Sequence, residues 1–174
     1  IAADQLAISY YKSFDLPVKI VRPFNTYGPK QSARAIIPTV ISQILDGAYE
    51  IKIGNILPTR DFTFVRDTID GFLAIYESDD LSGQVTNIGM NEEISISDLI
   101  DKIANVMEVS LNIVQDDNRI RPHKSEVDQL KCDNTKLTTH TNWKPNYNLE
   151  TGLKATAEWM DINSHYYKAK KYNV

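Results

Sequence analysis

Hydrophobic positions along the first half of the chain alternate between helical and strand-like spacing. The opening stretch "IAADQLAISYYKSF" is apolar on nearly every face of a helix, which predicts a helix buried on several sides. The β-branched run "VKIVRPF" suits a buried parallel strand. "AIIPTVISQILDG" is predicted to form a helix that ends at Gly47. "YEIKIG" and "RDFTFV" alternate as strands do.

The second half of the chain continues the same alternation. "RDTIDGFLAIYES" predicts an amphipathic helix, "GQVTNIG" a strand, and "LNIVQD" another strand. "ISISDLIDKIANVME" predicts a helix capped by Ser95 or Ser97. Two more helical pieces lie around Thr135–His140 and 149–161. Strands that alternate with helices indicate an α/β fold with a parallel sheet.

The stretch "NTYGPKQSAR" follows directly after a predicted strand. In parallel α/β sheets, ligands sit beyond the carboxyl ends of the strands. Asn25, at this position, can cap a turn through its side chain or donate a hydrogen bond to a ligand oxygen. Tyr27 is expected to pack rather than to bind. The position alone makes this stretch a candidate site.

Composition and charge narrow the class of protein. The chain has 174 residues, 42% of them hydrophobic and 24% charged, which is ordinary for a globular domain with a core. Its net charge of -4 argues against general nucleic-acid binding. No apolar run approaches the ~20 residues that span a bilayer. The single cysteine, Cys132, fits a reducing compartment, so we expect a cytoplasmic protein.

The start of the chain lacks a helix-capping residue. Ile1, Ala2 and Ala3 stand where Ser, Thr, Asp or Asn would normally precede the first turn. We therefore expect that the chain begins inside a helix and that part of a larger protein precedes it.

Several common catalytic motifs do not occur in the sequence. The seven glycines have no G-x-G-x-x-G spacing, and neither a Walker A motif nor a G-x-S-x-G elbow is present. His123, His140 and His165 lie far apart, so no metal site is expected. Cys132 is expected to be a small core residue rather than a nucleophile.

Cationic residues fall in three segments: Lys30 with Arg34, Arg60 alone, and Arg119 with Arg121. Because Arg binds phosphate as a planar fork, two or three converging Arg side chains would suit a diphosphate. The alternative is local pairing, with Asp61 or Asp67 for Arg60 and with Glu126 for Arg121. The residues alone favour local pairing, and both interpretations stay open at this point.

Five stretches together identify a family. "RPFNTYGP", "RDFTFVRDT", "TNIGMNEEISISDLI", "RPHKSEVDQLKCDNTK" and "NWKPNYNLETGL" occur in this order. They resemble the carboxy-terminal half of extended short-chain dehydrogenases/reductases, the NAD-dependent nucleotide-sugar epimerases and dehydratases. "RPFNTYGPKQSARAIIPT" with "RPHKSEV" is most similar to 4,6-dehydratases that act on nucleotide-linked N-acetylglucosamine in legionaminic-acid-type polysaccharide pathways.

The resemblance implies that the catalytic machinery lies outside this chain. The family's Tyr-x-x-x-Lys would end just before Ile1, and the glycine-rich NAD loop would come earlier, within roughly 150 further residues. Residues 1–25 would be the last helix and strand of a Rossmann-type NAD-binding domain. Residues 26–174 would mainly form the substrate-binding domain, with 66–90 returning to the Rossmann-type sheet.

Six positions correspond to the family's substrate contacts: Asn25, Ile36, Ile37, Ile53, Arg60 and Arg121. The three polar residues would hold the diphosphate. The first two isoleucines would offer backbone and apolar contact to the nucleotide, and the third would lie against the base. Pro23 and Phe24 would lie near the nicotinamide. The family often has Arg at Lys30, Tyr at Phe64, and an acid or small residue at Arg66, so Lys30 and Arg66 have no expected role.

The reaction implied by the resemblance begins with hydride transfer from the sugar C4 to NAD. Elimination of water across C5 and C6 and return of the hydride to C6 would follow. The 174-residue chain alone is expected to be inactive, and the helix at 1–14 is expected to join a homodimer. One alternative is a 4-epimerase of the same family. An alternative of another class is a non-catalytic nucleotide-sugar binding domain.

Overall fold

The chain folds as two compact units, each assembled from three segments of sequence. The computed structural model describes residues 2–116, 119 and 127–167. The first unit comprises Ile1–Thr26, Asp61–Glu92 and Lys131–Asn146. The second comprises Tyr27–Arg60, Glu93–Leu130 and Tyr147–Val174. The expected α/β class, with parallel strand pairs, is confirmed.

Helices and strands alternate in the predicted way. Within the described residues the helices are α1 (Ala2–Phe14), α2 (Ile36–Leu45), α3 (Val65–Glu77), α4 (Ile96–Val106), α5 (Thr135–His140) and α6 (Leu149–Ile162). The strands are β1 (Ile20–Pro23), β2 (Asn25–Tyr27), β3 (Glu50–Ile53), β4 (Thr59–Arg60), β5 (Phe62–Phe64), β6 (Val85–Ile88), β7 (Ile94–Ser95), β8 (Asn112–Gln115) and β9 (Gln129–Leu130). Short 3₁₀ helices span Asp79–Leu81 and Ser164–Tyr166.

The first unit is built around the parallel pair β1 and β6, in which Pro23 lies opposite Ile88. Strand β2 pairs with β5 beside it. Helix α3 lies close against β6 because Gly71 has no side chain: a Cβ there would come within 2.9 Å of the Ile88 Cδ1 atom. The core of this unit consists of Ile75, Leu81, Ile88, Leu137 and Trp143.

The second unit packs three helices with two small sheets. Strands β3 and β8 pair in parallel, and β4 lies between β7, which is antiparallel to it, and β9, which is parallel. Helices α2, α4 and α6 pack against one another. The side chains they bury completely or almost completely include Ile37, Ile41, Leu99, Ile103 and Leu153.

Local signals fix two helix ends as the sequence predicts. After α2, the Gly47 amide donates to Ile44 and the Ala48 amide to Gln43, with Gly47 at a φ of 81°, which is a Schellman motif. At the start of α4, the Ser95 side chain accepts a hydrogen bond from the Asp98 amide. Of the two candidate caps, Ser95 is therefore the one used.

Two predicted strands are each divided in the structure. "VKIVRPF" was expected to be one strand, but β1 ends at Pro23 and β2 begins at Asn25. "RDFTFV" was also expected to be one strand, but β4 ends at Arg60 and β5 begins at Phe62. The second break falls at Asp61, whose side chain is fully buried and accepts hydrogen bonds from backbone amides, so it does not continue the ladder of β4.

The prediction that the first helix is buried on several sides does not hold within this chain. No described residue of α1 is buried. Leu6 is 61% exposed and Phe14 is 72% exposed. The described part of the first unit places no second layer over the outer side of α1, so its apolar surface faces outward. Among the described residues, no helix is both long and apolar enough to cross a membrane.

Candidate functional site

The first unit brings the ends of two neighbouring parallel strands together, and expected site residues lie there. The Phe24 amide, just after β1, donates to the Ile88 carbonyl at the end of β6, at 2.9 Å. Asn25 follows, and its side-chain Nδ2 donates to the Asp61 carbonyl at 3.0 Å. Pro23, Phe24 and Asn25 therefore occupy the strand edge at which ligands collect in parallel sheets.

Asp61 is the central polar group of this edge. It is 0% exposed. Its Oδ1 accepts a hydrogen bond from the Met90 amide at 2.9 Å, and its Oδ2 accepts one from the Cys132 amide at 3.1 Å. Burial raises the pKa of the Asp61 carboxyl, and hydrogen bonds from the backbone amides of residues 90–92 and 132 act in the opposite direction. These bonds hold the loop after β6 and the stretch before α5 at one carboxylate.

Gly89 and Cys132 allow these segments to approach closely. A Cβ at Gly89 would come within 2.3 Å of the Cys132 Cβ and 3.3 Å of Asp61 Oδ1, so only glycine fits. Asn134 Nδ2 also donates to the Gly89 carbonyl, at 2.8 Å. As the sequence predicts, Cys132 is buried. Burial first, and then the charges of Asp61 and Asp133, raise the pKa of its thiol to about 12, so it is no nucleophile at neutral pH.

Sequence reasoning considered Asp61 only as a local partner for Arg60, and the structure gives it a different role. Its carboxylate is bound to backbone amides. The other candidate acid, Asp67, accepts a hydrogen bond from the Asn146 amide through Oδ1 at 2.8 Å. No local signal identifies this role, because Asp61 stands between Arg60 and Phe62 and the Cys132 amide that its carboxylate binds is distant in sequence. Its burial in the structure explains the need for several hydrogen bonds.

Arg60 lies in the second unit, on the central strand of its three-stranded sheet. It is half-buried, and its Nη1 donates to the Thr59 carbonyl at 2.8 Å and to the Val127 carbonyl at 2.6 Å. The sheet around it is braced by Glu93, whose carboxylate accepts from Thr59 Oγ1 at 2.7 Å and from Gln129 Nε2 at 2.7 Å. Arg60 Nη1 is thus anchored on a braced strand. Arg121, its expected partner, lies outside the described residues.

The expected apolar contacts, Ile36, Ile37 and Ile53, also lie in the second unit. Ile37 is 0% and Ile53 is 4% exposed, so both side chains belong to the core. Any contact that these two make with a nucleotide is therefore made by backbone atoms. Helix α2 begins at Ile36, and its N-cap residue, Ala35, offers no side-chain acceptor to the first amides. Amides at such a helix start can bind an anion.

Lys30, which has no expected role, lines a cavity of about 450 Å³ in the second unit. The other lining residues include Trp159, whose ring stacks on Tyr166 with centroids 6.2 Å apart, and Tyr167. Lys30 has a φ of 67°, an uncommon value for a residue with a side chain. The described lining residues include none of the six expected substrate contacts. Both Lys30 and Arg34, four residues later, are exposed.

Titratable side chains in the described ranges form no group suited to a metal ion. No set of three or more His, Cys, Asp or Glu residues is placed to hold one.

Comparison with known proteins places the chain in a defined group. The family model described as GDP-mannose 4,6 dehydratase matches residues 1–156. A UDP-N-acetyl-alpha-D-glucosaminuronate decarboxylase of Bacillus cytotoxicus is 34% identical over 150 residues, covering 83% of this chain and 46% of that protein. A dTDP-D-glucose 4,6-dehydratase of Mus musculus is 28% identical and covers 96% of this chain and 47% of that protein.

Solved structures show the same similarity. The UDP-glucuronic acid 4-epimerase of Bacillus cereus, in complex with UDP-glucuronic acid and NAD, superimposes with a TM-score of 0.82 at 29% identity. The match covers 93% of this chain and 51% of that one. The chain spans about half the length of the curated relatives that it matches.

Proposed function

Because this chain belongs to the GDP-mannose 4,6-dehydratase family, we propose that it is the substrate-binding half of an NAD-dependent nucleotide-sugar 4,6-dehydratase. The observation that carries the proposal is the edge of the first unit. There, Phe24 and Asn25 follow β1 beside the end of its parallel neighbour β6, and Asp61 holds the loop that follows β6. This is the edge at which α/β sheets bind their ligands.

The two units have different roles in this proposal. The first unit, with β1, α3 and β6, continues a Rossmann-type sheet, and Pro23 and Phe24 lie beside the nicotinamide. The second unit binds the nucleotide through the start of α2 and through the strand that carries Arg60. Asn25, Arg60 and Arg121 hold the diphosphate.

NAD, when bound, accepts and returns the hydride. The residues of this chain bind and orient the substrate, and they do not move the proton. The half-buried guanidinium of Arg60 suits a diphosphate because its planar fork presents several donors, and its Nη1 contacts with backbone carbonyls fix its position. Proton transfer belongs to the Tyr-x-x-x-Lys element that the family resemblance puts before Ile1.

The outer surface of α1 is the proposed dimer interface. Leu6, Tyr10 and Phe14 recur at four-residue spacing and are 61%, 48% and 72% exposed. An apolar stripe of this kind on a helix suits packing against a second copy in a four-helix bundle. We infer that the intact protein is cytoplasmic. The cysteine of this chain, Cys132, is a buried free thiol, which fits a reducing compartment.

The second candidate is a nucleotide-sugar 4-epimerase, which the superposition on the UDP-glucuronic acid 4-epimerase favours. One experiment separates the candidates: the intact protein is incubated with NAD and UDP-N-acetylglucosamine, and the products are analysed by mass spectrometry and NMR. A dehydratase gives a 4-keto product lighter by one water. An epimerase gives a product of equal mass with inverted C4. Binding without turnover would indicate a non-catalytic domain.

A further inference from the structure

Asp61 is a fully buried carboxylate that the proposed mechanism does not use. It ties its own segment to Met90, in the loop after β6, and to Cys132, before α5. Its backbone carbonyl, on the other side, accepts the Asn25 side-chain amide at 3.0 Å. One residue therefore contacts both the loop that follows β6 and the side chain expected to bind the diphosphate.

We propose that Asp61 is a positioning residue for substrate binding, which fixes Asn25 and the loop at 89–92 in the arrangement that receives the diphosphate. The inference rests on the function proposed above. Asp61 does not touch the substrate in this account. It acts through Asn25, whose donor group is aimed by the Asp61 carbonyl, and through Met90, whose amide is held by the Asp61 carboxylate.

The position of Asp61 requires a side chain that accepts two hydrogen bonds from backbone amides. A carboxylate offers only acceptors, and here both of its oxygens face backbone amides. An asparagine has nearly the same shape, but its NH₂ group would face one of those amides, donor against donor. Asp61 is 0% exposed, so bulk solvent does not reach the side chain to satisfy such an amide. Replacing Asp61 should therefore displace the loop and Asn25 together.

The test compares Asp61→Asn with Asp67→Asn in the intact protein. Asp67 is a matched control because it is also 0% exposed in the first unit and also accepts a backbone amide, that of Asn146. Both variants should lower the melting temperature. Isothermal titration of the wild type with UDP, GDP and dTDP first identifies the nucleotide that binds best. For that nucleotide, affinity should fall about tenfold or more in Asp61→Asn and should not fall in Asp67→Asn. NAD affinity should not change in either variant.

A double-mutant cycle decides whether Asp61 acts through Asn25. The pair Asp61→Asn with Asn25→Ala should lose less nucleotide affinity than the two single losses combined, because part of the effect of Asp61 passes through Asn25. Additive losses would overturn the inference, as would equal losses for Asp61→Asn and Asp67→Asn. If Asp61→Asn does not fold, Asp61→Ser is titrated instead, because its smaller side chain has a hydroxyl that can still accept from one of the two amides. Full nucleotide affinity in a folded Asp61→Ser protein would overturn the inference too. A wild type that binds none of the three nucleotides would instead contradict the proposed function, and the inference with it.

Discussion

The carboxylate of Asp61 accepts a hydrogen bond from the backbone amide of Cys132 at 3.1 Å, across a separation of 71 residues along the chain. The contact brings the segment before α5 to the edge where β1 and β6 end. Asp61 also holds the Met90 amide, so the first unit is joined at a polar centre as well as by its apolar core. Such a satisfied buried group specifies one arrangement of the segments around it.

The pH dependence of stability should carry the signature of Asp61. Burial raises its pKa above the ordinary 3.8, so between that value and the folded-state pKa the folded chain binds more protons than the unfolded chain. The free energy of unfolding of the wild type, relative to Asp61→Asn, should therefore fall as pH rises through this window. Urea unfolding of both proteins from acidic to neutral pH measures it.

Comparing the wild type with Asp61→Asn cancels the contributions of carboxyl groups whose pKa is lowered rather than raised. Asp4, next to Arg22, and Asp133, beside Thr135, have lowered pKa values and lose their stabilising effect as pH falls, but both proteins contain them. A difference between wild type and variant that grew with rising pH would contradict the raised pKa of Asp61.

The contact between α3 and β6 should make Gly71 irreplaceable. In an exposed helix, Gly→Ala gains about 1 kcal/mol. At Gly71 the new Cβ would lie 2.9 Å from Ile88 Cδ1, so Gly71→Ala should instead lower the free energy of unfolding by about 1–3 kcal/mol. In an Ile88→Ala background, which removes all three Ile88 atoms within 3.2 Å of the new Cβ, the loss should be smaller. Equal losses in both backgrounds, by urea denaturation, would show that this contact is not the cause.

The outer surface of α1 should control the oligomeric state of the intact protein. Leu6→Glu with Phe14→Glu should give a monomer at micromolar concentration in analytical ultracentrifugation, because charges would replace two exposed apolar residues of the stripe. Tyr11 is less suitable for substitution in this test because its ring packs beside Gly83 within the first unit. Tyr49→Glu, at a residue 81% exposed in the second unit, is the control and should leave the dimer intact. A dimeric double variant would rule out this interface.

The 174-residue chain by itself should show no dehydratase or epimerase activity when NAD and a nucleotide sugar are added. The G-x-G-x-x-G spacing does not occur in its sequence, and the family resemblance puts the catalytic Tyr-x-x-x-Lys before Ile1. The Tyr-x-x-x-Lys spacings at Tyr166 and Tyr167 stand at the opposite end of the sequence. Product formation is followed by NMR, with the intact protein as the positive control. Turnover above the no-enzyme background by the chain alone would refute the assignment of catalysis to residues outside it.

The sequence predicted the features that depend on local chemistry. Gly47 and Ser95 mark helix ends because a left-handed turn and a side-chain cap need particular residues. The break at Asp61 was missed, because its cause is a set of amides distant in sequence. The two-residue strands β7 and β9 were missed because two residues have no periodicity. The burial of Ile37 and Ile53 was not foreseen because motif resemblance gives a position but not the direction of a side chain.

The role of each cation could not be decided from the sequence either. Arg60 could pair with Asp61 or Asp67, and only the structure shows both carboxylates bound to backbone amides. Whether Asn25, Arg60 and Arg121 converge on one diphosphate is the prediction on which the proposed function most depends.

The most direct test of that prediction is isothermal titration of the intact protein with its nucleotide sugar, for Arg60→Ala, Arg121→Ala and Lys30→Ala. Loss of a charge-assisted contact from a desolvated site costs roughly 2–5 kcal/mol, so the two Arg variants should bind about 30-fold more weakly or worse. Lys30→Ala should lose much less because Lys30 is exposed, and NAD affinity should barely change. Equal losses for all three would indicate a diffuse positive field, and unchanged binding in both Arg variants would contradict the diphosphate clamp.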